Sequence, residues 1–525
     1  MMPARRRYLQ ILPLIAVLVG VFAAPAAHAN PSQYSVMMDD NQLLYRTDKV
    51  RDKTLATMKS LGVDYVRVTV LWSVVADHAR STKARDRRFR KLGADNPRAY
   101  PRLNWNRYDG LVRTAQAFGI GVYFDVTGPG PAWGHARAPR SERANAATWK
   151  PNARQFKLFV EAVGKRYSGK YRDEDTGHSR LPRVSFWSLW NEPNQGGWLT
   201  PQFVHGKPYS PRLFRSLYIA GHQGLVATGH AGDVILLGET APLGSPGART
   251  SRAPMYPKTF LEGLFCVNGN GQRVSGAGCS DFTKYGPLVA TAYAHHPYTK
   301  YDAPTKRNSS SLAYTMANLS DLEGFLDKIA VNTGRIAKGM PIALTEFGYE
   351  TNPPDPFHGI SLAKQAEYSN EGDFLAWADQ RVLTQTQFLL RDVPPLKAYP
   401  KKSKHYWFTY QSGLYYANGR AKPSVAAYRF PFEAIPFRRA DDGGTYYAFW
   451  GQTRFRPNDS IDSVLLQFKP AGSKTWTTFG NPVKTGGRNY FVSVQEAPKG
   501  AGQVRAAWGG NQPPYLAASR AIAVK

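Results

Sequence analysis

Cysteine is almost missing from this chain of 525 residues, which contains only Cys266 and Cys279. So few thiols exclude a scaffold held by many disulfides and a zinc site made of four cysteines. Twelve residues separate the two in a Gly-rich segment, FCVNGNGQRVSGAGC. In an oxidising compartment we expect this pair to form a disulfide that closes a loop and stabilises the fold by about 3 kcal/mol. No further soft ligands stand nearby, and we predict no metal site and no cofactor.

Long hydrophobic runs are also absent beyond the start of the chain, so no later segment is predicted to span a membrane. The early run, Ile11–Phe22, follows the arginines Arg5–Arg7 and precedes the small-residue stretch Ala27–Ala29. This order is typical of a secretory signal peptide. We therefore predict that residues 1–29 are a signal peptide, that the mature chain begins near Asn30, and that the protein is secreted and extracellular. A membrane anchor is the alternative.

Acidic residues are scarce, since 38 aspartates and glutamates stand against 68 lysines and arginines, a net charge of +30. Removal of the three signal-peptide arginines leaves +27 (30 − 3) on the mature chain. Such a charge attracts anionic polymers, and we expect an anionic cell-envelope polymer as a partner. Apart from one cluster at Lys83–Lys91 the basic residues are scattered, and no zinc spacing or RNA-binding signature accompanies them. We predict no nucleic-acid partner, no stable membrane insertion and a monomeric protein.

Apolar, β-branched or aromatic runs recur along most of the chain, separated by segments with helical spacing. The eight runs are 34–40, 63–72, 119–127, 184–193, 233–239, 288–298, 341–349 and 405–411. The helical segments are 49–62, 105–119, 152–167, 210–229, 319–334 and 364–383. This alternation predicts a closed (β/α)8 TIM barrel. A doubly wound open sheet is the alternative, but no Gly-rich phosphate turn follows the first run.

The pattern changes near Pro423. From Thr445 onward, short apolar runs are separated by turn residues, and no helical segment fits between them. This predicts a small all-β, sandwich-like domain. We place the barrel domain at residues 30–430 and the all-β domain at 431–525, joined by the Pro-rich segment 429–437.

Two carboxylates stand where predicted barrel strands end. Glu192 follows the apolar pair Leu189–Trp190, and Glu346 follows Ala343–Leu344. Active sites of such barrels lie at the carboxyl ends of the strands, and strands four and seven approach each other across that mouth. Further polar or aromatic residues in or near predicted strands are Arg67, Asn191, Glu239, His296, Tyr298 and Trp407.

These motifs resemble those of the (β/α)8-barrel clan A of retaining glycoside hydrolases, with families similar to cellulases, mannanases and β-xylosidases. Asn191-Glu192-Pro193 matches the clan's acid/base element after strand four. Thr345-Glu346-Phe347-Gly348 matches its nucleophile element after strand seven. The resemblance covers residues 34–430 and implies that Glu192 is the acid/base and Glu346 the nucleophile. It also implies substrate-binding roles for Arg67, Asn191, His296, Tyr298 and Trp407, the last as a sugar-stacking ring on strand eight.

The resemblance implies a secreted hydrolase that cleaves the O-glycosidic bonds of a poly- or oligosaccharide by double displacement. That reaction needs one protonated and one ionised carboxyl group about 5–5.5 Å apart. A non-catalytic carbohydrate- or envelope-binding protein on the same scaffold is the alternative, although both glutamates are present. A serine hydrolase is excluded because no G-x-S-x-G motif occurs. The sugar, its linkage and endo or exo action stay open.

The spacing of the two glutamates indicates insertions. Glu192 and Glu346 are 154 positions apart (346 − 192), whereas three βα units of a minimal barrel of ~250 residues span ~95. We assign the excess mainly to residues 242–286, which hold both cysteines. Because this segment follows strand five, we expect the disulfide loop on the catalytic face. Glu239 either lines a sugar subsite or forms a salt bridge, and the sequence leaves both open.

Overall fold

The structure is a computed structural model that describes residues 29–76, 78–81, 87–177, 179–247, 249–276, 278–438, 445–496, 498–509 and 515–524. Residues 1–28 of the predicted signal peptide and part of the basic cluster lie outside the described residues. The first compact unit contains residues 34–372 and 381–425. The second contains residues 29–33, 373–380 and those described from 426 onward.

Parallel strands in the first unit close into a barrel of eight, which confirms the predicted TIM barrel. In chain order they are Tyr34–Met38, Tyr65–Leu71, Gly121–Thr127, Phe186–Leu189, Val234–Thr240, Ala292–His295, Ile342–Leu344 and Val382–Phe388. Around the barrel the order is one, eight, seven, six, five, four, three, two, so each strand pairs with its chain neighbours and strand eight closes on strand one. The seven connections between consecutive strands are parallel crossovers, as in a (β/α)8 fold.

The eighth strand was predicted in the wrong place. It is Val382–Phe388, whereas the predicted run 405–411 lies in the following loop and contains a 3-10 turn, Lys404–Trp407. The helix predicted at 364–383 ends at Trp377. The strand VLTQTQF is rich in polar residues, which hides it from a search for apolar runs. Its threonines are nevertheless buried, and Thr386 satisfies its hydroxyl by donating to the Leu344 carbonyl oxygen at 2.8 Å.

The helices lie close to the predicted segments along the chain. The α-helices are Asp40–Leu44, Asp48–Ser60, Trp72–Val75, Arg87–Leu92, Arg102–Ala117, Ala153–Arg166, Ser210–Ala227, Pro257–Phe265, Asp281–Tyr285, Leu319–Thr333, Leu362–Trp377 and Ser424–Arg429. The second of these ends as its sequence predicts, because Gly62 takes the left-handed φ of +81° that a glycine adopts without strain after a helix. No helix among the described residues is both long and apolar enough to cross a membrane.

The interior of the barrel changes from apolar to polar along the strands. Its lower part is filled by a buried cluster that includes Val36, Tyr123, Phe186, Ala294 and Ala343. Side chains of a strand repeat their direction every second residue. Two positions further along the same strands stand Met38, Asp125, Ser188, His296 and Thr345, all of them buried. The polar site therefore lies directly on an apolar plug, at the carboxyl ends of the strands.

The disulfide between Cys266 and Cys279 is present, as predicted, but its loop is not on the catalytic face. Arg335 donates from its guanidinium to the carbonyl oxygens of Phe265 and Cys266, and Arg273 donates to the Thr333 carbonyl oxygen. Thr333 ends the helix that leads into strand seven, so these contacts lie where strands begin. The expectation was wrong because helix Pro257–Phe265 precedes the cysteines, and the chain has already returned to the opposite end of the barrel.

The second unit is antiparallel, as predicted for an all-β domain. One sheet has three strands, Phe432–Arg438, Thr445–Gln452 and Tyr490–Glu496. The other contains Ser463–Pro470, Thr477–Lys484, Gly502–Trp508, Ala517–Ala518 and Ile522–Val524. The Pro-rich segment predicted as a linker forms the first of these strands. Pro436 is accommodated because its strand pairs on one side only, with Thr445–Gln452. Buried aromatic rings, among them Phe432, Phe449 and Phe491, form the core.

Candidate active site

A cavity of about 620 Å³ opens at the carboxyl ends of the barrel strands. Four predicted site residues line it, namely Asn191, Glu192, Tyr298 and Glu346. Residues that the sequence analysis did not select also line it, among them Asp40, Tyr45, Trp198, Tyr301, Glu350, Tyr410 and Ser412. The cavity therefore combines carboxylates with several aromatic faces.

The two glutamates are close together. One oxygen of Glu192, one oxygen of Glu346 and a ring nitrogen of His296 all lie within 4.8 Å of one another. Inverting glycosidases hold their carboxyl groups about 6.5–9.5 Å apart to admit a water molecule between them, whereas retaining ones hold them about 5–5.5 Å apart. The spacing here is shorter than the range of inverting enzymes.

Glu346 is held at both carboxylate oxygens. Arg67 donates from Nη1 to Oε1 at 2.8 Å, and the Tyr298 hydroxyl donates to Oε2 at 3.0 Å. Burial, and then the charge of Glu346, raises the pKa of Tyr298 well above its usual value, so the phenol keeps its proton and remains a donor. The carboxylate consequently has a defined orientation and a cationic partner.

Arg67 ties the polar floor of the cavity together. It is fully buried on strand two, and its Nη2 donates to Asn191 Oδ1 at 2.8 Å, to Glu239 Oε2 at 3.0 Å and to Asp125 Oδ2 at 3.2 Å. The contact with Asn191 engages the amide oxygen, so the amide NH2 group remains for a ligand. A buried guanidinium needs such anionic partners.

Glu239 lies beneath the cavity, in a buried ion pair, which answers the question that the sequence left open. It accepts hydrogen bonds from Arg67, from the Thr345 hydroxyl at 2.8 Å and from the Tyr123 hydroxyl, and it contacts His296 Nε2 at 2.8 Å. Burial opposes its charge, but Arg67 and His296 hold the pKa of Glu239 well below its usual range. Glu239 is therefore a permanent anion that fixes the two cations.

His296 lies between three carboxylates. Its Nδ1 is 3.0 Å from Glu192 Oε1 and 3.6 Å from Glu346 Oε2, and its Nε2 faces Glu239. Burial disfavours the charged ring, but Glu346, Glu192 and Glu239 together raise the pKa of His296 to about 10. The imidazolium donates from both nitrogens and places a positive charge between the candidate catalytic groups.

Glu192, His296 and Glu346 also have the ligand types of a three-residue metal site. A metal ion needs a free lone pair on the histidine nitrogen. In the structure each ring nitrogen of His296 is at hydrogen-bond distance from a carboxylate oxygen, Nδ1 from Glu192 at 3.0 Å and Nε2 from Glu239 at 2.8 Å. The residues present therefore suit an imidazolium between carboxylates better than a metal ion.

Two functional positions have strained backbones. Glu192 has a φ of +37° and Glu239 a φ of +55°, in the left-handed region that side chains with a Cβ seldom adopt. Strand five is also irregular here, because its register to strand six shifts between Gly238 and Thr240. Such residues cost of order 1–3 kcal/mol each and persist where the surrounding structure holds them. Here the strain directs the two carboxylates toward His296.

Three residues with expected substrate contacts do not line the cavity. Arg67 and His296 are fully buried and contact the glutamates instead. Trp407 lies in the 3-10 turn after strand eight, where its Nε1 donates to the Lys401 carbonyl oxygen at 3.1 Å, and it does not line the cavity either. The predicted place of Trp407 on strand eight was wrong, because that strand is Val382–Phe388.

The aromatic faces in the cavity belong to other residues. Trp198 lies in the loop after strand four, and Tyr410 lies three positions beyond Trp407 in the loop after strand eight. Sequence reasoning missed them because loop residues carry no periodic pattern. The sequence feature that points to Asp40 is its position two residues after the end of strand one, similar to that of Glu192 three residues after strand four.

Comparisons with known proteins found only distant likeness. No family model matches the chain, and none of the curated proteins compared matches it. A solved glucosidase structure from Croceicoccus marinus is similar, with 14% identity and a TM-score of 0.47 over 86% of this chain and 82% of that one. A family 39 glycoside hydrolase from Bacteroides cellulosilyticus WH2 has 14% identity and a TM-score of 0.44 over 89% and 80%.

An endo-β-1,4-mannanase from Thermotoga petrophila has 10% identity and a TM-score of 0.41 over 95% of this chain and 98% of that one. These structures are named as members of the enzyme class that the sequence motifs resemble. At these identities and TM-scores we transfer no activity from them, and we base the function on the cavity.

Proposed function

We propose that the protein is a retaining glycoside hydrolase. The observation that carries the proposal is the pair of carboxylates Glu192 and Glu346, within 4.8 Å of each other in one cavity and held by different partners. Glu346 is fixed by a guanidinium and a phenol, whereas Glu192 contacts His296 and is the more exposed of the two, with 21% of its side chain accessible against 10%. Unequal surroundings are what separate a nucleophile from an acid/base.

In the first half of the reaction, a Glu346 oxygen attacks the anomeric carbon while the bond to the leaving oxygen breaks. Glu192 gives its proton to that oxygen, so the alcohol leaves neutral and a glycosyl ester forms on Glu346. In the second half, Glu192 takes a proton from water, the water oxygen attacks the anomeric carbon, and the ester bond breaks. Two displacements restore the original configuration. The NH2 group of Asn191 is available for the sugar 2-hydroxyl, a contact that strengthens as positive charge develops in the ring.

The substrate follows from the composition of the cavity. Hydroxyl groups of a neutral sugar match the polar floor, and its apolar faces match rings such as Trp198 and Tyr410. We include in the proposal that the enzyme is secreted and acts on a poly- or oligosaccharide. The accompanying proposal is that its positive charge attracts an anionic envelope polymer.

The first test is a panel of aryl glycosides, with proton NMR to follow the configuration of the first product. Retention supports the proposal, whereas inversion or the absence of turnover on every glycoside overturns it. The Glu346→Ala variant should lose turnover by several powers of ten, and added azide should restore part of it and give a glycosyl azide of inverted configuration.

The matched variant is Glu192→Ala. With a good leaving group, acid assistance is unnecessary, so the first half of the reaction should stay fast while hydrolysis of the ester slows. Azide should then give a product of retained configuration. If the two variants behave alike on activated substrates, the division of roles between the glutamates is wrong.

A further inference from the structure

Two polar groups on the cavity wall have no hydrogen-bond partner among the described residues. They are Glu350 Oε2 and Ser412 Oγ, and both atoms are buried from solvent. Ser412 as a whole is only 3% exposed, and both residues line the cavity that contains the catalytic pair. A buried polar group that is left unsatisfied destabilises the structure. Two such groups on one wall indicate a place where a ligand supplies the missing hydrogen bonds.

Lys422 is the cation that acts on Glu350, but its hydrogen bonds go to other groups. Lys422 Nζ donates to Asp392 Oδ1 at 2.7 Å, to the Thr351 hydroxyl at 2.9 Å and to the Gln411 carbonyl oxygen at 2.9 Å. An ammonium group has three hydrogens, so all three are assigned. Glu350 therefore does not obtain a salt bridge from this lysine.

Glu350 is partly relieved of its charge. Burial, and then the neighbouring Asp355, raises the pKa of Glu350 to about 7, although a backbone hydrogen bond from Gln411 works in the opposite direction. Near neutral pH the group exists both as an acceptor and as a donor. A hydroxyl group suits both forms because it also donates and accepts.

Tyr410 connects this wall to the catalytic pair. Burial, followed by the charges of Glu192, Glu346 and Glu350, raises the pKa of Tyr410 to about 12, so its phenol lies within electrostatic reach of all three carboxylates. Its ring packs edge-on against Phe388, with centroids 5.2 Å apart. The wall is thus part of the same binding space.

The position of the wall indicates which part of a glycoside it meets. The leaving group must lie on the side of Glu192, which follows strand four. Glu350 and Ser412 lie in the loops after strands seven and eight, across the mouth and beside the nucleophile Glu346. The sugar that is transferred to Glu346 therefore faces this wall.

We propose that Glu350 and Ser412 together bind one hydroxyl group of the transferred sugar and make the enzyme selective for glycosides that carry it. Ser412 Oγ forms one hydrogen bond with the sugar hydroxyl, and Glu350 Oε2 forms a second one. A sugar that lacks this hydroxyl leaves both groups unsatisfied, and a sugar carboxylate there would meet a like charge. The proposal rests on the proposed glycosidase function and adds the specificity of the transferred sugar.

The test compares the aryl glycoside that the wild type turns over fastest with its monodeoxy analogues and with the analogue that lacks the C6 hydroxymethyl group. The variants are Glu350→Gln and Ser412→Ala. The matched control is Glu367→Gln, which changes an exposed carboxylate on helix Leu362–Trp377. The unfolding temperature of each variant is measured beside kcat/KM. If Glu350→Gln does not fold, Ser412→Ala alone decides the test, because this variant removes only one oxygen atom.

One analogue should lose roughly 10- to 100-fold in kcat/KM with the wild type, as expected when a lost hydrogen bond leaves buried polar groups unsatisfied. Both variants should lower kcat/KM for the parent glycoside by a similar factor, whereas their kcat/KM for that analogue should stay close to the wild-type value. The control Glu367→Gln should match the wild type on every compound. If each variant affects all compounds equally, or none, the assignment of the wall is overturned while the proposed function stands. If the wild type neither turns over nor binds a glycoside by calorimetry, the proposed function fails and this proposal with it.

Discussion

At the scale of single residues, the feature that decides the chemistry is the position of His296 between three carboxylates. An imidazolium there offsets the repulsion between Glu239 and Glu346 and lies within hydrogen-bond distance of Glu192. In the proposed mechanism His296 acts on the substrate only through these groups, as a positioning residue. Its removal should therefore lower the rate of reaction more than the binding of substrate.

We expect His296→Gln to lower kcat/KM roughly 100-fold, as for the loss of one charge-assisted donor in a buried site. The loss should fall mainly on kcat, with KM close to that of the wild type, because His296 is fully buried and does not line the cavity. The control is His205→Gln, on an exposed loop. A loss that falls mainly on KM would contradict this assignment.

The same residue should link stability to pH. The pKa of His296 is raised to about 10 in the folded protein, against about 6.5 for an unfolded chain. A raised pKa means that the charged ring stabilises the fold fully below pH 6.5, and that this contribution is lost as the pH rises toward 10. The difference in unfolding free energy between wild type and His296→Gln should thus shrink from pH 6 to pH 10 in urea titrations. A difference that grows with pH would contradict the assignment.

At the scale of structural elements, the barrel separates stability from chemistry by its two ends. The disulfide loop lies where strands begin, in contact with Arg335, and the cavity lies where strands end. In TIM barrels the loops at the carboxyl ends of the strands carry the activity, while the opposite end contributes stability. The position of an element along the strand axis therefore predicts which property its mutation changes.

Replacing both Cys266 and Cys279 by serine should cost about 3 kcal/mol of unfolding free energy, from the loop entropy released in the unfolded chain. Turnover should stay within twofold of the wild type at temperatures where the variant is folded. Thermal unfolding and kcat/KM on one aryl glycoside measure the two effects. A raised KM with an unchanged unfolding temperature would instead place the loop at the cavity.

The irregular end of strand five lies at the cavity end of the barrel, so a mutation there should change activity as well as stability. Gly238 has a φ of +125°, and a Cβ there would lie 2.6 Å from the Ala294 carbonyl oxygen of strand six. Gly238→Ala must disturb that pairing and displace the adjacent Glu239. We expect a loss of about 2 kcal/mol or more in stability, together with a lower kcat.

Gly232→Ala is the matched control for this element, since a Cβ at Gly232 meets nothing within 4 Å. Its stability and kcat should stay close to those of the wild type. If Gly238→Ala keeps a wild-type kcat, the bulge is not what positions the buried anion.

At the scale of the whole molecule, the charge and the catalytic cavity are separate properties. The net charge of +30 is spread over the sequence, whereas the cavity holds carboxylates and aromatic rings suited to a neutral sugar. One exposed basic group does lie in the loop after strand three, at Arg137, Arg140 and Arg143. Long-range attraction should act on an anionic polymer and leave a small neutral substrate unaffected.

Raising the ionic strength from 0.01 M to 0.15 M shortens the Debye length from roughly 30 Å to 8 Å. Binding to anionic envelope material should fall steeply over this range in co-sedimentation, while turnover of a neutral aryl glycoside stays nearly constant. Replacing the three arginines by glutamine should weaken binding more than replacing three exposed lysines of the second unit, Lys474, Lys484 and Lys499. If turnover of the neutral substrate falls as steeply as binding, the true substrate is acidic.

The sequence by itself determined what depends on local pattern. Strand runs and helix ends predicted seven of the eight barrel strands and the all-β unit, because apolar periodicity records which face of an element is buried. Glu192 and Glu346 were found because they stand directly after such runs, and strand ends in this fold meet at one face. The disulfide pairing followed because the chain has only two cysteines.

Only the tertiary structure decided what depends on contacts between distant segments. Strand eight was missed because its buried threonines and Gln387 are satisfied by neighbours that the local pattern does not show. Trp407 was misplaced because the eighth strand was assigned to the wrong run. The disulfide loop was misplaced because helix Pro257–Phe265 was not recognised, and this helix returns the chain to the other end of the barrel. The ion pair of Glu239, the charge of His296 and the unsatisfied wall of Glu350 and Ser412 arise from residues far apart in the chain. Their ionisation and hydrogen bonding depend on burial and on partners, which exist only once the barrel has closed.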